Sequence, residues 1–137
     1  MTQLLLDTCA MIWVAGNAEL SEPAIAALDD AEDEAMPVFL SPISAWEIGL
    51  LVARNRLTLP TRPKAWLDRL LKAPNLRLAQ LPPGILIDSA FLPGTPPRDP
   101  ADRIIIATAR EYDLTIMTRD RLILDYAEAG HVRAIAC

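Results

Sequence analysis

Histidine and cysteine are nearly missing from this chain of 137 residues, which holds one histidine, His131, and two cysteines, Cys9 and Cys137. Such an inventory excludes a disulfide framework, and it cannot supply the usual four ligands of a tetrahedral zinc site. It also leaves no well-placed histidine base, because His131 follows Gly130 in a predicted turn. Cys9 is expected to be a small, buried apolar residue.

Long apolar runs and a basic leader are missing as well. No stretch of 18 apolar residues occurs, so we expect no membrane span. The first segment, MTQLLLDTCAMIWVAG, lacks basic residues, and Asp7 interrupts its apolar run. A signal peptide is therefore not expected, and the cytoplasm is the expected location.

Positive charge is in deficit, with 13 Lys and Arg against 18 Asp and Glu. A protein that coats nucleic acid nonspecifically usually carries the opposite balance. The acidic balance therefore argues against such a coat. It permits a phosphate site at which a bound cation supplies the positive charge.

The apolar pattern predicts strands that alternate with helices. Buried strands are predicted at residues 3–6, 38–40, 114–117 and 132–135, with a weaker fifth at 76–81. Helical patterns cover residues 7–14, 21–35, 41–52, 64–72, 83–92, 99–110 and 121–129. This order predicts one domain, residues 1–137, of three α/β/α layers around a parallel sheet of four or five strands. Ligands of such sheets bind where the carboxyl ends of the strands meet.

Four acidic residues fall at that edge of the predicted sheet. Asp7 directly follows the first strand, and Asp120 follows the strand LTIM. Glu47 lies in the second turn of its helix, and Asp102 in the first turn of the helix that begins at Asp99. Converging carboxylates repel one another unless they hold protons or a cation. All-oxygen ligands suit Mg²⁺ or Mn²⁺, which can activate water and neutralise a phosphodiester.

Each acid also has a structural explanation. Asp99 has the position of a helix N-cap, and Asp102, three residues later, could complete a capping box. Asp120 could cap the last long helix, and Glu47 could be a partly exposed helix residue. Asp7 is the hardest to explain structurally, because it stands between an apolar strand and the apolar segment AMIWV.

The segments LLLDT, SAWEIGLL, DPADRIIIATA and TIMTRD, in this order, carry a family resemblance. Over its whole length the chain resembles PIN domains, above all the VapC-type toxin ribonucleases of prokaryotic toxin–antitoxin pairs. The four acids of the family fall on Asp7, Glu47, Asp102 and Asp120. The resemblance implies that they bind Mg²⁺ or Mn²⁺, that Thr118 supports the site, and that Asp99 is an additional acid of the DPxDR variety. It also implies single-strand-selective endoribonuclease activity, a homodimer, and inhibition by a small antitoxin protein.

A local excess of positive charge lies between Arg54 and Arg77, a segment that contains seven basic residues and one acidic residue, Asp68. Within it, Arg69 and Lys72 are candidate contacts to the RNA backbone. The alternative is a solvated helix face, balanced by the acids elsewhere.

Two other classes of phosphate-handling protein would need residues that this sequence lacks at the corresponding positions. A phosphate-receiving regulatory domain would need paired acids after the first strand and a lysine after the last central one, and neither is present. A haloacid-dehalogenase-type phosphatase would need an acid two residues after Asp7, where Cys9 stands. A PIN domain used only for binding stays open, although the intact set of four acids disfavours it. The function that the resemblance implies is a metal-dependent endoribonuclease that acts as the toxin of a type II toxin–antitoxin system.

Overall fold

Five short parallel strands form the central sheet of the computed structural model, which describes residues 2–137. They are β1 (Leu4–Leu6), β2 (Val38–Leu40), β3 (Leu76–Leu78), β4 (Thr115–Thr118) and β5 (Arg133–Ala136). Their order across the sheet is β3-β2-β1-β4-β5, and every neighbouring pair is parallel. The parallel α/β sheet predicted from the sequence is confirmed, and its weaker fifth strand is the edge strand β3.

Seven helices connect the strands within the described chain: α1 (Thr8–Ala15), α2 (Glu22–Asp33), α3 (Pro42–Ala53), α4 (Pro63–Leu70), α5 (Pro83–Asp88), α6 (Pro100–Tyr112) and α7 (Arg121–Glu128). Ser21 and Ser41 cap α2 and α3, because their side chains accept the amides of Ala24 and Ile43 at 3.2 and 3.1 Å. In the described residues no helix is long and apolar enough to cross a membrane.

Helix α5 ends four residues before its predicted end. The amides of Ala90 and Phe91 donate to carbonyls three residues back, so the chain leaves α5 through tight turns. Pro93 follows soon after, and a proline disfavours helical backbone in the residue before it. The helical pattern of the sequence therefore extends past the point where the backbone stops being α-helical.

The core lies on both faces of the sheet. Leu4 and Leu6 belong to one apolar cluster, which α1 and α2 cover, while Leu5 belongs to a second cluster with Ile105 and Ile106 of α6. Successive side chains of a strand point to opposite faces, so a strand buried on both faces is apolar throughout. The run LLL is consequently the centre of the predicted three-layer α/β/α arrangement.

The strand order reverses beside β1. The chain runs from β1 to β2 and β3 on one side, and β4 and β5 lie on the other. The amide of Asp7 donates to the carbonyl of Met117 at 3.2 Å, so the residue that follows β1 lies beside the end of β4. Ligands of open α/β sheets bind at such a point.

Candidate active site

A cavity of about 540 Å³ opens where β1 and β4 end. Its lining residues are Asp7, Thr8, Cys9, Trp13, Glu47, Asp99, Asp102, Arg119, Asp120 and Leu122. All four acids predicted from the sequence, together with Asp99, therefore meet in this carboxylate cavity. A larger cavity of about 630 Å³ beside β5 has one acidic residue in its lining, Glu128, and offers no comparable cluster.

Asp7 is the most deeply buried acid of the cavity, with 5% of its surface exposed. It caps α1, because one carboxylate oxygen accepts the amide of Ala10 at 2.8 Å. The other oxygen accepts the hydroxyl of Thr118, which is fully buried at the end of β4. The Thr118 hydroxyl in turn accepts the amide of Asp120 at 2.9 Å. One threonine thus connects two of the predicted acids by hydrogen bonds.

Glu47 is half-buried on α3 and accepts a hydrogen bond from the hydroxyl of Thr8. The Thr8 and Ser44 hydroxyl oxygens are 2.9 Å apart, and both residues are buried. Because the Thr8 proton is directed at Glu47, the Ser44 hydroxyl is the donor to Thr8. This chain of hydroxyls was not predicted from the sequence, although Thr8 directly follows Asp7 in the segment LLLDT.

Two acids of the cavity also cap helices. Asp99 accepts the amide of Asp102 at 2.9 Å at the start of α6, and Asp120 accepts those of Leu122 and Ile123 at 2.8 and 3.2 Å at the start of α7. The capping explanation is therefore confirmed for Asp99 and Asp120, and both still line the cavity.

Asp102 does not complete a capping box. A box needs a return hydrogen bond from the Asp102 carboxylate to the backbone amide of Asp99. The hydrogen bonds of residues 2–137 include the Asp99 cap and no such return bond. The half-buried Asp102 carboxylate is consequently available to the cavity.

Burial and the charges of neighbouring carboxylates raise the pKa values of three acids of the cavity. The pKa of Asp102 is raised to about 7, first by burial and then by the charges of Asp99, Asp120, Glu47 and Asp7. Burial raises the pKa of Asp7, against the hydrogen bonds that it accepts, and the charge of Asp120 adds to the increase. The pKa of Glu47 is raised by burial and by Asp99 and Asp7, although the hydrogen bond from Thr8 lowers it. The cavity therefore concentrates negative charge that a proton or a cation must balance.

The donor set fits a partly hydrated hard cation. Among residues 2–137, no three Asp, Glu, His or Cys side chains are already gathered around one point that could hold a metal ion. Five carboxylates nevertheless line one cavity. Mg²⁺ usually keeps several water ligands and takes only one or two carboxylates directly. The cavity therefore suits Mg²⁺ or Mn²⁺ bound in part through water.

Cys9 departs from the sequence prediction. It is exposed and lines the cavity, so the expectation that it would be buried is wrong. The next two residues, Ala10 and Met11, take the inward face of α1, which turns Cys9 outward. Although the residue is exposed, its sulfur is partly shielded from water inside the cavity, and this desolvation together with the surrounding carboxylates raises the pKa of its thiol to about 11.

The two basic candidates lie away from the cavity. Arg69, at the end of α4, and Lys72, just beyond it, are exposed and are not among the cavity-lining residues. The basic residue that does line the cavity is Arg119, which was not predicted from the sequence as a site residue. Its guanidinium carbon lies 3.9 Å from the centre of the Trp13 ring. The only signal in the sequence was its position between Thr118 and Asp120.

Comparison with known proteins places the chain among relatives of the same architecture. The family model described as PIN domain matches residues 4–129. Ribonuclease VapC22 of Mycobacterium tuberculosis is 34% identical over 122 residues, which cover 88% of this chain and 89% of that protein. The crystal structure of FitAcB from Neisseria gonorrhoeae is similar at 28% identity and a TM-score of 0.56, covering 97% of this chain and 96% of that one. VapBC2 from Rickettsia felis, bound to a DNA fragment from its promoter, has a TM-score of 0.67 at 12% identity, with 99% of each chain covered, and shows likeness of fold alone.

Proposed function

The chain belongs to the PIN-domain family, and from this premise we propose that it is a metal-dependent endoribonuclease that cleaves single-stranded RNA as the toxin of a type II toxin–antitoxin pair. The observation that carries the proposal is the carboxylate cavity, where acids from four separate segments meet. The similarity to a ribonuclease over most of both chains supports RNA as the substrate. The proposed domain comprises residues 1–137.

The proposed roles follow from how each acid is held. Asp7, Asp102 and Asp120 hold Mg²⁺ or Mn²⁺, directly or through water, and Glu47 binds the ion or orients the attacking water. A divalent ion in such a site supplies an activated water nucleophile and neutralises charge on the phosphodiester. Thr118 fixes the Asp7 carboxylate by donating its hydroxyl proton to it.

Two hydrogen-bonded contacts set the remaining geometry. Thr8 donates to Glu47 and so orients that carboxylate toward the other acids. Asp99 caps α6 and thereby fixes the turn from which Asp102 projects. These hydrogen bonds preorganise the site, so the ordering of its side chains does not have to occur during the reaction.

The proposed partners are a small antitoxin protein and a second copy of this chain. Exposed apolar side chains on and just after α5 offer surface that a protein partner can cover, with Leu86, Ile87 and Phe91 exposed by 43%, 62% and 80%. Arg69 and Lys72 are proposed as contacts to RNA outside the cavity, because both are exposed and basic.

Labelled single-stranded RNA incubated with the purified protein tests the proposal. We expect cleavage in Mg²⁺ or Mn²⁺, none in excess chelator, and recovery when the metal is restored. Asp102→Asn should lower the rate by at least about a hundredfold, the upper end of losses from outer-shell changes around a metal. Asp125→Asn is the matched control, because Asp125 is an exposed acid of α7 that pairs with Arg121 outside the cavity.

Two results would contradict the proposal. Full activity in chelator would exclude the metal-dependent mechanism. Equal activity of Asp102→Asn and the wild-type protein would separate the cleavage from the carboxylate cavity. A duplex of the same RNA tests the strand selectivity, and we expect it to be cleaved more slowly.

A further inference from the structure

One basic side chain, Arg119, stands in the lining of the carboxylate cavity among five acids. It nevertheless forms no ion pair with them, since the salt bridges of residues 2–137 join only Arg121 to Asp125 and Arg133 to Asp113. Its guanidinium lies on the Trp13 ring, 3.9 Å from the ring centre, and donates to the backbone carbonyl of Glu19. A cation beside five carboxylates is thus held by neutral groups.

The stacking leaves most of the guanidinium available. Arginine has five N–H donors in one plane. One nitrogen of Arg119 donates to the carbonyl of Glu19, and the Cys137 thiol is a second neighbour of the side chain, so other donors of the guanidinium stay available. Trp13 is itself anchored, because it packs against the apolar cluster that covers one face of the sheet. The indole therefore orients the guanidinium and reduces the entropy that Arg119 would lose on binding a ligand.

An incoming RNA strand meets an electrostatic obstacle at this cavity. Its phosphates are repelled by the carboxylates until a cation balances them. A guanidinium suits phosphate, because two parallel N–H donors match two phosphate oxygens. Arg119 covers the Trp13 face on which it lies, so that face cannot stack on a nucleobase while the contact persists. The arrangement favours recognition of a phosphate over recognition of a base.

We propose that Arg119 is a substrate-binding residue whose guanidinium, oriented by Trp13, binds a backbone phosphate of the RNA that enters the carboxylate cavity. This inference rests on the proposed ribonuclease function. A purely structural role is the competing explanation, since Arg119 also connects the end of β4 to the backbone of Glu19. The two differ in what they predict for the salt dependence of RNA binding.

Arg119→Gln and Arg121→Gln form a matched pair. Both arginines are exposed and lie two residues apart, but Arg121 pairs with Asp125 and does not line the cavity. Each variant is made alone, for cleavage kinetics in Mg²⁺, and in an Asp102→Asn background, for binding without turnover. Binding of a fluorescein-labelled single-stranded RNA is followed by anisotropy across a series of KCl concentrations.

Arg119→Gln should reduce the slope of log K against log salt by about 0.7, the value for one phosphate contact on a single strand. It should raise KM several-fold and change kcat much less, because the contact is made on binding. Arg121→Gln should leave slope and KM at their wild-type values. Trp13→Leu keeps the charge and loses the stack, so we expect a higher KM with an unchanged slope.

If Arg119→Gln left both the salt slope and KM unchanged, the inference would be overturned. A lower melting temperature with an unchanged salt slope would overturn it as well, because that result indicates a structural role. Failure of the proposed function looks different. In that case the wild-type protein does not cleave RNA with either metal, whereas the slopes of the Asp102→Asn background proteins still report whether Arg119 contacts phosphate. Absence of RNA binding by that background at low salt would overturn the inference as well.

Discussion

Several acids of the cavity serve two purposes at the scale of single residues. Asp7, Asp99 and Asp120 each accept backbone amides at the start of a helix, and the same side chains line the cavity. Asp102 lacks a capping bond, and burial together with the neighbouring acids raises its pKa to about 7. The capping and chemical roles can therefore be separated by substitution at neighbouring positions.

Substitutions at Asp99 and Asp102 separate the capping role from the chemical role most clearly. Asp99→Ala removes the cap of α6 and should be less stable than Asp99→Asn, which keeps a capping oxygen, by about 1 kcal/mol. Comparing these two variants isolates the cap, because both lose the charge. Asp102→Asn should be at least as stable as the wild-type protein and should lose cleavage. Urea denaturation and RNA cleavage measure the two effects, and the opposite pattern would mean that the third acid of the site is misassigned.

Asp7→Asn addresses the buried carboxylate. Burial raises the pKa of Asp7, so its charged form disfavours the folded state at neutral pH. The variant keeps the shape and loses the charge, so without metal it should melt at a higher temperature than the wild-type protein. Mg²⁺ should stabilise the wild-type protein by mass action and the variant little. Melting curves with and without Mg²⁺ decide this, and a less stable variant with an unchanged response to Mg²⁺ would show that Asp7 is a structural residue.

At the scale of elements, three helices begin at the cavity. Helices α1, α6 and α7 follow directly after Asp7, Asp99 and Asp120. The amides of a helix N-terminus and its dipole favour negative charge, so the helix starts offset part of the repulsion among the acids. Strand β4 adds Thr118, which joins the caps of α1 and α7.

Thr118→Val tests this connection between elements. Valine keeps the shape of threonine, but it removes the donor to Asp7 and the acceptor for the Asp120 amide. We expect the cleavage rate to fall by about 10- to 100-fold, as for other residues that orient metal ligands. Thr115→Val, in the same buried strand, is the control. Equal RNA cleavage rates for the two variants would show that Thr118 does not support the site.

At the scale of the whole molecule, the distribution of charge links stability to pH. The pKa of Asp102 rises from an ordinary value of 3.8 to about 7 in the folded protein. The protonated carboxyl therefore favours folding fully below about pH 4, and this contribution is lost as the pH rises to about 7. The acidic balance of the chain adds repulsion over the same range.

The metal-free protein should accordingly lose stability between pH 4 and 7, the range set by the Asp102 shift. Asp102→Asn should show a shallower loss, while Asp125→Asn should follow the wild-type curve, because Asp125 lies outside the cavity. Chemical denaturation across this pH range in chelator measures the slopes. Identical slopes for wild type and Asp102→Asn would show that Asp102 does not titrate in this range.

The order of the elements and the positions of the main acids could be predicted from local sequence patterns. Strand runs such as LLL and caps such as Ser21 are local patterns, because side-chain periodicity and capping depend on residues only a few positions apart. In a parallel sheet the carboxyl ends of the strands must meet, so the gathering of Asp7 and Asp120 followed from the order alone.

The side chains that complete the site are brought together by tertiary packing. Thr118 meets Asp7, and Arg119 meets Trp13, across more than a hundred positions of the chain. No short-range pattern specifies such contacts, because they depend on how β1, β4 and α1 pack together. The exposure of Cys9 also depends on packing, because the core buries the face of α1 that carries Ala10 and Met11. Local periodicity identifies elements, whereas the partners of a polar side chain depend on the packing of the whole domain.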